Sequence, residues 1–400
     1  MPRRVGRRAF LASGAAVLGG AAALGGRELL DKGPQPSAPD ATGRATVPFH
    51  GEHQAGVVTP GQAFASFVAL DLADGVDREA LVRLMRVWTD DIERLTRGAP
   101  GLTDTEPELA AVPARLTVTV GYGPGVLTAA GREDLRPAWL APLPAFGIDR
   151  LQQAWSGGDL LLQICADDEI TVAHAVRVLV KEARTFTRVR WVQRGFRNSP
   201  GTVAPGTTMR NLMGQVDGTS NPVPGTQDDR LIWVGPDGPG WLHGGTGMVV
   251  RRIAMNLDTW DELDRPAREQ VIGRRLDNGA PLTGTHEHDE PDLAAMTDLH
   301  LPVIETFAHI RRARSDDPEH RFLRRSYNYD EPPAAGELSN SGLVFVSFQA
   351  DIDAQFTPIQ RRLDQLDLLN QWTTPIGSAV FAVPGGCRPG EYLGQRLLEP

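Results

Sequence analysis

The chain has 400 residues, of which 41% are hydrophobic and 23% charged, so it can bury a sizeable core in two or three domains and wholesale disorder is excluded. Fifty acidic against 41 basic residues give a net charge of −9, which argues against a surface that tracks nucleic-acid phosphates. Two cysteines, Cys165 and Cys387, exclude a Cys-rich zinc module, a Cys-ligated iron–sulfur cluster and a disulfide scaffold, and leave one Cys165–Cys387 bond open.

Residues 1–26 read as an export signal. Gly6-Arg7-Arg8-Ala9-Phe10-Leu11 is a twin-arginine pattern, and the small-residue run up to Gly26 is too short and too rich in Gly and Ala for a membrane anchor. Ala21-Ala22-Ala23 offers a cleavage point. Residues 27–47, dense in Pro, Gly, Ala and charge, read as a linker. A first half is expected over 48–205 and a second over 206–400.

In the first half, Ala63–Leu72 reads as a strand. Arg78–Leu95 carries Leu81, Leu84, Met85, Trp88 and Ile92 at helical spacing. Strands follow at Leu116–Tyr122 and Asp159–Ala166, then a helix over Ile170–Arg184 and a strand at Val189–Gln193. The second half repeats the order more loosely. It has a strand at Gly247–Leu257, a helix near Trp260–Arg274, a strand at Gly342–Gln349, a helix over Phe356–Leu369 and a closing strand at Ser378–Val383. Two β-α-β-β-α-β units imply an α+β protein of duplicated ferredoxin-like halves with antiparallel sheets. The irregular stretches 197–247 and 279–301 interrupt these units and are where a site is expected.

Three segments carry candidate chemistry. Gly214-Gln215-Val216-Asp217-Gly218-Thr219 sets an acid between glycines, which suits either a plain turn or close approach to a ligand. His309 follows an apolar stretch and is either a satisfied core histidine or an axial metal ligand. Leu323-Arg324-Arg325-Ser326-Tyr327 holds an arginine pair that is either solvated or an anion or peroxide clamp. His286-Glu287-His288-Asp289-Glu290 reads as a solvated loop. His50 and His53 have H-x-x-H spacing without the Glu of a zinc-protease helix. No G-x-S-x-G elbow or phosphate-binding glycine loop is present.

Taken together, the segments resemble the dye-decolourising peroxidase family, in particular its exported, deferrochelatase/peroxidase-like branch. The matching stretches are FHGEHQAGVVTP (49–60), GYGPG, MRNLMGQVDGTSNP (209–222), VVRRIAMNL (249–257), GAPLTG (279–284), AHIR (308–311), LRRSYNY (323–329) and GLVFVSFQAD, in family order over residues 48–386. The resemblance implies two ferredoxin-like halves enclosing a non-covalent haem b. His309 matches the proximal ligand of the haem iron, Asp217 the distal acid and Arg324 the distal arginine. Arg325 is the runner-up to Arg324 and is expected against a haem propionate or solvent. Asp351 is the expected acceptor for the second ring nitrogen of His309, ahead of Asp353 and Glu305. Ser326 departs from the family, where Gly is more usual.

The implied reaction is peroxidation. H₂O₂ oxidises the haem by two electrons to a ferryl state, and an external donor returns them singly. Bulky dyes or phenolics would act through Tyr or Trp relays such as Tyr327, Tyr329, Trp191 and Trp372. A carboxylate base must be ionised to begin, which places the working range at acidic pH. The implied partners are H₂O₂, an electron donor and the twin-arginine export machinery, with no nucleic acid and no stable membrane anchor. The implied location is the periplasm, the cell envelope or outside the cell. Two alternatives stay open. One is an envelope iron-acquisition protein acting on haem or Fe(II). The other is a non-enzymatic haem carrier, which would have no need of Asp217 and Arg324.

Overall fold

The structure, a computed structural model, describes residues 42–399. The twin-arginine segment and residues 27–41 of the expected linker lie outside the described residues. The rest of that linker is docked: Ala114 and Arg115 donate backbone hydrogen bonds to Gly43 and Ala45.

The first half follows its hydrophobic pattern. Strands β1 (Phe64–Leu72), β2 (Thr117–Tyr122), β3 (Leu160–Ala166) and β4 (Thr187–Phe196) form an antiparallel sheet in the order β2-β3-β1-β4. Helices α1 (Arg78–Thr96) and α2 (Glu169–Ala183) cover one face. Asp77 caps α1 by accepting from the Ala80 N–H, and Asp168 caps α2 through the Thr171 N–H. Alternation along a strand decides what each side chain meets. Val68 and Leu70 of β1 pack under Leu81, Leu84, Met85 and Trp88 of α1. Phe67 and Ala69 point the other way, into a core shared with Val250, Val346, Phe348 and Phe381 of the second half.

The second half has the same strand order with a looser covering. Strands β5 (Thr246–Met255), β6 (Leu323–Arg324), β7 (Tyr327–Asp330), β8 (Ser341–Gln349) and β9 (Thr373–Val383) run β9-β5-β8-β7, with β6 also on β8. Single pairings, Tyr122 with Ala382 and Phe196 with Asn328, join the two sheets edge to edge. The architecture is the α+β, duplicated ferredoxin-like fold with antiparallel sheets.

Three expectations need correction. The helix near Trp260–Arg274 is two short pieces, because the chain must restart at Pro266 behind the Asp264 cap; the second piece is α3 (Arg265–Ile272). The helix over Phe356–Leu369 stops earlier. A π-turn precedes α5 (Thr357–Leu366), and Asp367 breaks away with extended backbone. The arginine segment, given no strand in the sequence reading, holds the two short strands β6 and β7, both paired to β8.

Neither thiol is bonded: Cys165 and Cys387 are both free and buried. Burial pushes both thiols up, Cys387 to about 11.

A buried carboxyl pair joins α1 to α2. The Glu182 carboxyl meets that of Asp91, and Asp91 Oδ2 and both Glu182 oxygens are shut off from solvent with no other partner. Burial, then the hydrogen bond and charge of Asp91, raise the Glu182 pKa to about 9. The folded chain therefore keeps a proton that the unfolded chain gives up near its ordinary 4.5, so this group costs stability increasingly from about pH 4.5 to 9. Glu182→Gln should leave stability unchanged at pH 4. At pH 9 it should raise it by about 2 kcal/mol, a figure discounted for partial solvent access. Denaturant melts at both pH values check this, and equal stability of the two proteins at pH 9 would remove the shared proton.

Candidate functional site

The Asp217 segment is shaped by its own side chains. Asn211 Oδ1 accepts from the N–H groups of Met213 and Gln215, and the Asp217 N–H donates to Met209 O at 2.8 Å. Gly214 (φ 83°) and Gly218 (φ 126°) take conformations that a side chain would oppose. Glu287, from the loop read as merely solvated, accepts from the hydroxyls of Thr208 (2.6 Å) and Thr219 (2.9 Å) and so spans the segment. The histidines beside it, His286 and His288, are exposed as expected.

Arg324 reaches this acid. Asn221 pairs with the Arg324 backbone through both ends of its amide (2.8 and 3.0 Å), locking β6 to the Asp217 segment. Arg324 Nη1 then lies 3.0 Å from Asp217 Oδ1. Both line a cavity of about 180 Å³ with Arg197, Thr208, Met209 and Ser326. A larger cleft of about 580 Å³, beside Arg78, Arg83 and Glu399, is an open dish of opposed charges. Its acid Glu399 is tied to Arg86 and to the Tyr392 hydroxyl, and none of the three candidate segments lines it.

Arg325 is not at this site. Alternation turns it to the other side of the strand, where it is 3% exposed. Its Nε donates to Gly56 O at 2.6 Å and an Nη to Gln62. The expected contact with a propionate or solvent is therefore replaced by a structural tie into the first half.

His309 opens the short helix α4 (His309–Arg312). Arg311 anchors that helix to the carbonyls of Ile304 and Leu293, and Arg312 to that of Arg362. Gly273, behind α3, has no room for a side chain: a Cβ would overlap Ile310 and lie 3.0 Å from Ile304. His309 Nδ1 lies 2.6 Å from Asp367 Oδ2. Asp367 Oδ1 accepts from the Leu369 N–H, and Leu368 N–H donates to Phe307 O, so carboxylate and imidazole are fixed to one another. Burial opposes the imidazolium, but the charge and hydrogen bond of Asp367 outweigh it and raise the His309 pKa. Arg324 and Asp217 also act on it across the interior.

Asp351 does not take the expected place beside His309. Its carboxylate caps the following turn through the Ala354 N–H, Asp353 is exposed, and Glu305 offers Ala308 only its backbone carbonyl. Asp367 was missed because it sat inside an expected helix. The sequence signal is Asp367-Leu368-Leu369-Asn370, an acid able to cap a new turn just after α5.

The arrangement suits a group larger than a metal ion. His309 is enclosed enough for burial to work against its charge, yet 29% of its side chain is accessible. Among the described residues its Nε2 has no hydrogen-bond partner, and no three His, Cys, Asp or Glu groups converge as a metal cage. Arg274 is pulled down by burial, then by its neighbours Arg314 and Arg324, so three guanidiniums crowd one region. An accessible imidazole nitrogen and a cation cluster are what a planar iron group with acidic side arms requires.

Comparison with known proteins agrees. The family models for the C-terminal and N-terminal parts of Dyp-type peroxidases match residues 208–388 and 54–197. A dye-decolorizing peroxidase of Thermobifida fusca is 41% identical over 98% of this chain and 97% of its own length. A deferrochelatase of Escherichia coli is 34% identical over 98% and 96%. The crystal structure of a DyP-type peroxidase from Cellulomonas bogoriensis superposes with a TM-score of 0.88 at 66% identity, covering 90% of this chain and 99% of that one. The chain belongs to the Dyp-type peroxidase family.

Proposed function

We propose that Asp217, Arg324, His309 and Asp367 are the residues through which this chain carries out the peroxidase reaction of its family. The enzyme is a haem b peroxidase that takes H₂O₂ and a reducing donor. Haem, when bound, would supply the redox chemistry: two-electron reduction of the peroxide and one-electron oxidation of the donor. His309 would hold the iron through Nε2 while Asp367 fixes the ring and its tautomer through Nδ1. The positive charge of Arg274 and Arg314 would favour the acidic side arms of the group, with Arg274 itself tied to the carbonyls of Gly279 and Glu287 and Arg314 to the Glu290 carboxylate.

The observation that carries this reading is the Asp217–Arg324 pair in its small cavity. Asp217 takes a proton from one peroxide oxygen and returns it to the other, which leaves as water. Arg324 stays charged throughout and stabilises the negative charge that builds on the departing oxygen. A volume of about 180 Å³ admits H₂O₂ but is below the range of pockets for drug-sized molecules. Dyes and phenolics are therefore oxidised at the surface. Of the four aromatic residues singled out in the sequence, Tyr327, Tyr329 and Trp191 are buried. Trp372 is partly exposed and stands edge-on to buried Trp260 with ring centres 5.3 Å apart. The test is reconstitution with haem b, followed by spectra before and after one equivalent of H₂O₂ and by peroxide-dependent bleaching of a dye. A chain that binds haem but leaves peroxide unconsumed would be a carrier.

The cellular setting rests on the sequence. Among the described residues no helix is long and apolar enough to cross a membrane. Arg7-Arg8 ahead of Phe10-Leu11 supports export by the twin-arginine route to the periplasm, cell envelope or medium. Changing both arginines to Lys should leave haem-loaded precursor in the cytoplasm. Fractionation that finds this variant outside the membrane at the normal level would exclude the route.

A further inference from the structure

The cavity beside Asp217 holds one more cation than the peroxidase reading uses. Arg197 follows β4 directly, and its N–H donates to Ala63 O at 2.7 Å. Its Nε donates to Ser326 O at 2.7 Å, and its guanidinium lies over the Tyr327 ring at 4.7 Å. The group also packs on Gly61, where a Cβ would overlap Nη1 and lie 2.9 Å from Cζ. These contacts fix the plane of the guanidinium, but among the described residues neither Nη donates a hydrogen bond. Asp217 is within charge range but is already paired with Arg324. The remaining close groups, Arg325, Tyr327 and Cys165, offer no negative charge to balance it: one is a cation, and burial keeps the other two protonated.

A second group waits at the same place. Ser326 is 3% exposed and lines the cavity, yet its hydroxyl has no partner. A buried hydroxyl left unpaired is costly, and the Arg197 guanidinium, partly buried, has no carboxylate of its own to balance its charge. Two arginines against one carboxylate leave the cavity one positive charge in excess. We infer that this cavity is a binding site for a small planar monoanion of the size of nitrate, nitrite or formate, held by the outer edge of Arg197 and the Ser326 hydroxyl. A guanidinium edge presents two parallel N–H donors at the spacing of two oxygens of such an anion. The anion site is independent of the catalytic assignment. That its occupant excludes H₂O₂ rests on the peroxidase reading above.

The experiment uses the haem-loaded full chain and sodium nitrate, with sodium gluconate, a bulky non-planar anion, matching the ionic strength. Nitrate should raise the wild-type melting temperature saturably, by about 2–4 °C at saturation. Arg197→Gln should abolish the rise, and Ser326→Ala, a milder change, should weaken nitrate binding roughly 2–10-fold. No saturable rise in the wild type, or an equal rise in all three proteins, overturns the site. A haem absorption band that moves equally with nitrate in all three also overturns it, since the anion would then sit on iron. In stopped-flow mixing, nitrate should slow the reaction with H₂O₂ with the same dissociation constant. A saturable melting rise without that slowing would leave the anion site standing and remove peroxide from the cavity, which separates failure of the catalytic reading from failure of this one.

Discussion

Asp217→Asn should slow the reaction of the haem-loaded enzyme with H₂O₂ by roughly 10²–10⁴-fold, the usual contribution of a positioned proton shuttle. Asn keeps the shape of the side chain and can still accept from Arg324, so the segment held by Asn211 and Glu287 is left in place. What it loses is the ability to take and return a proton. Arg324→Leu should slow the same step by roughly 10²–10³-fold, as for removal of one electrostatic donor. The β6 backbone should not move, because Asn221 holds it through main-chain atoms rather than through the guanidinium. The two variants differ in their pH dependence. A rate limb on the acid side reports a carboxylate taking up a proton, so it should vanish in Asp217→Asn and persist in Arg324→Leu. Stopped-flow mixing with H₂O₂ from pH 4 to 8 reads both. An Asp217→Asn enzyme with the wild-type rate and an unchanged limb would reduce Asp217 to the capping residue of a glycine-flanked turn.

The parts of the molecule legible in its sequence are those where local chemistry and burial agree. The α1 stripe of Leu81, Leu84, Met85, Trp88 and Ile92 has no competing interpretation, and all five residues are buried. Strands β1, β3 and β8 are long apolar runs covered on both faces, so their positions show in composition alone. β6 and β7 do not show. They are short, interrupted by Arg325 and Ser326, and defined by pairing to β8, with one bridge from β7 to β4, across separations that no local pattern records. The site divides the same way. Asp217 and His309 lie in compact motifs whose own residues hold them. Asp367 stands 58 positions from His309 and is selected only by the fold. Arg324 and Arg325 are neighbours of one type, and only strand alternation tells which reaches Asp217 and which is buried against Gln62. Arg197 lay at the edge of a stretch already marked for its irregularity, but its unpaired edge is a property of packing against Gly61 and Tyr327.

His309→Ala should give a folded chain that retains little haem. The helix that carries His309 is held by Arg311 and Arg312 through backbone carbonyls and by the close approach of Gly273 to Ile310, none of which needs the imidazole. The fold should therefore survive while Nε2, the ring nitrogen left without a partner among the described residues, is lost. Asp367→Asn separates ligation from orientation. Asn can still accept from the Nδ1–H, but as a neutral group that no longer polarises the ring, and loss of such an outer partner typically costs ~10–100-fold in affinity or activity. Asp351→Asn serves as the control, since its carboxylate only caps a turn. Haem content after dialysis, the absorption spectrum and far-ultraviolet circular dichroism, measured on all three variants, give the order His309→Ala below Asp367→Asn below Asp351→Asn in retained haem, with unchanged secondary structure. Wild-type haem content and spectrum in His309→Ala would transfer the ligand role to another histidine. Equal losses in Asp351→Asn and Asp367→Asn would show that the 2.6 Å contact between Asp367 and His309 is a packing feature without influence on the bound group.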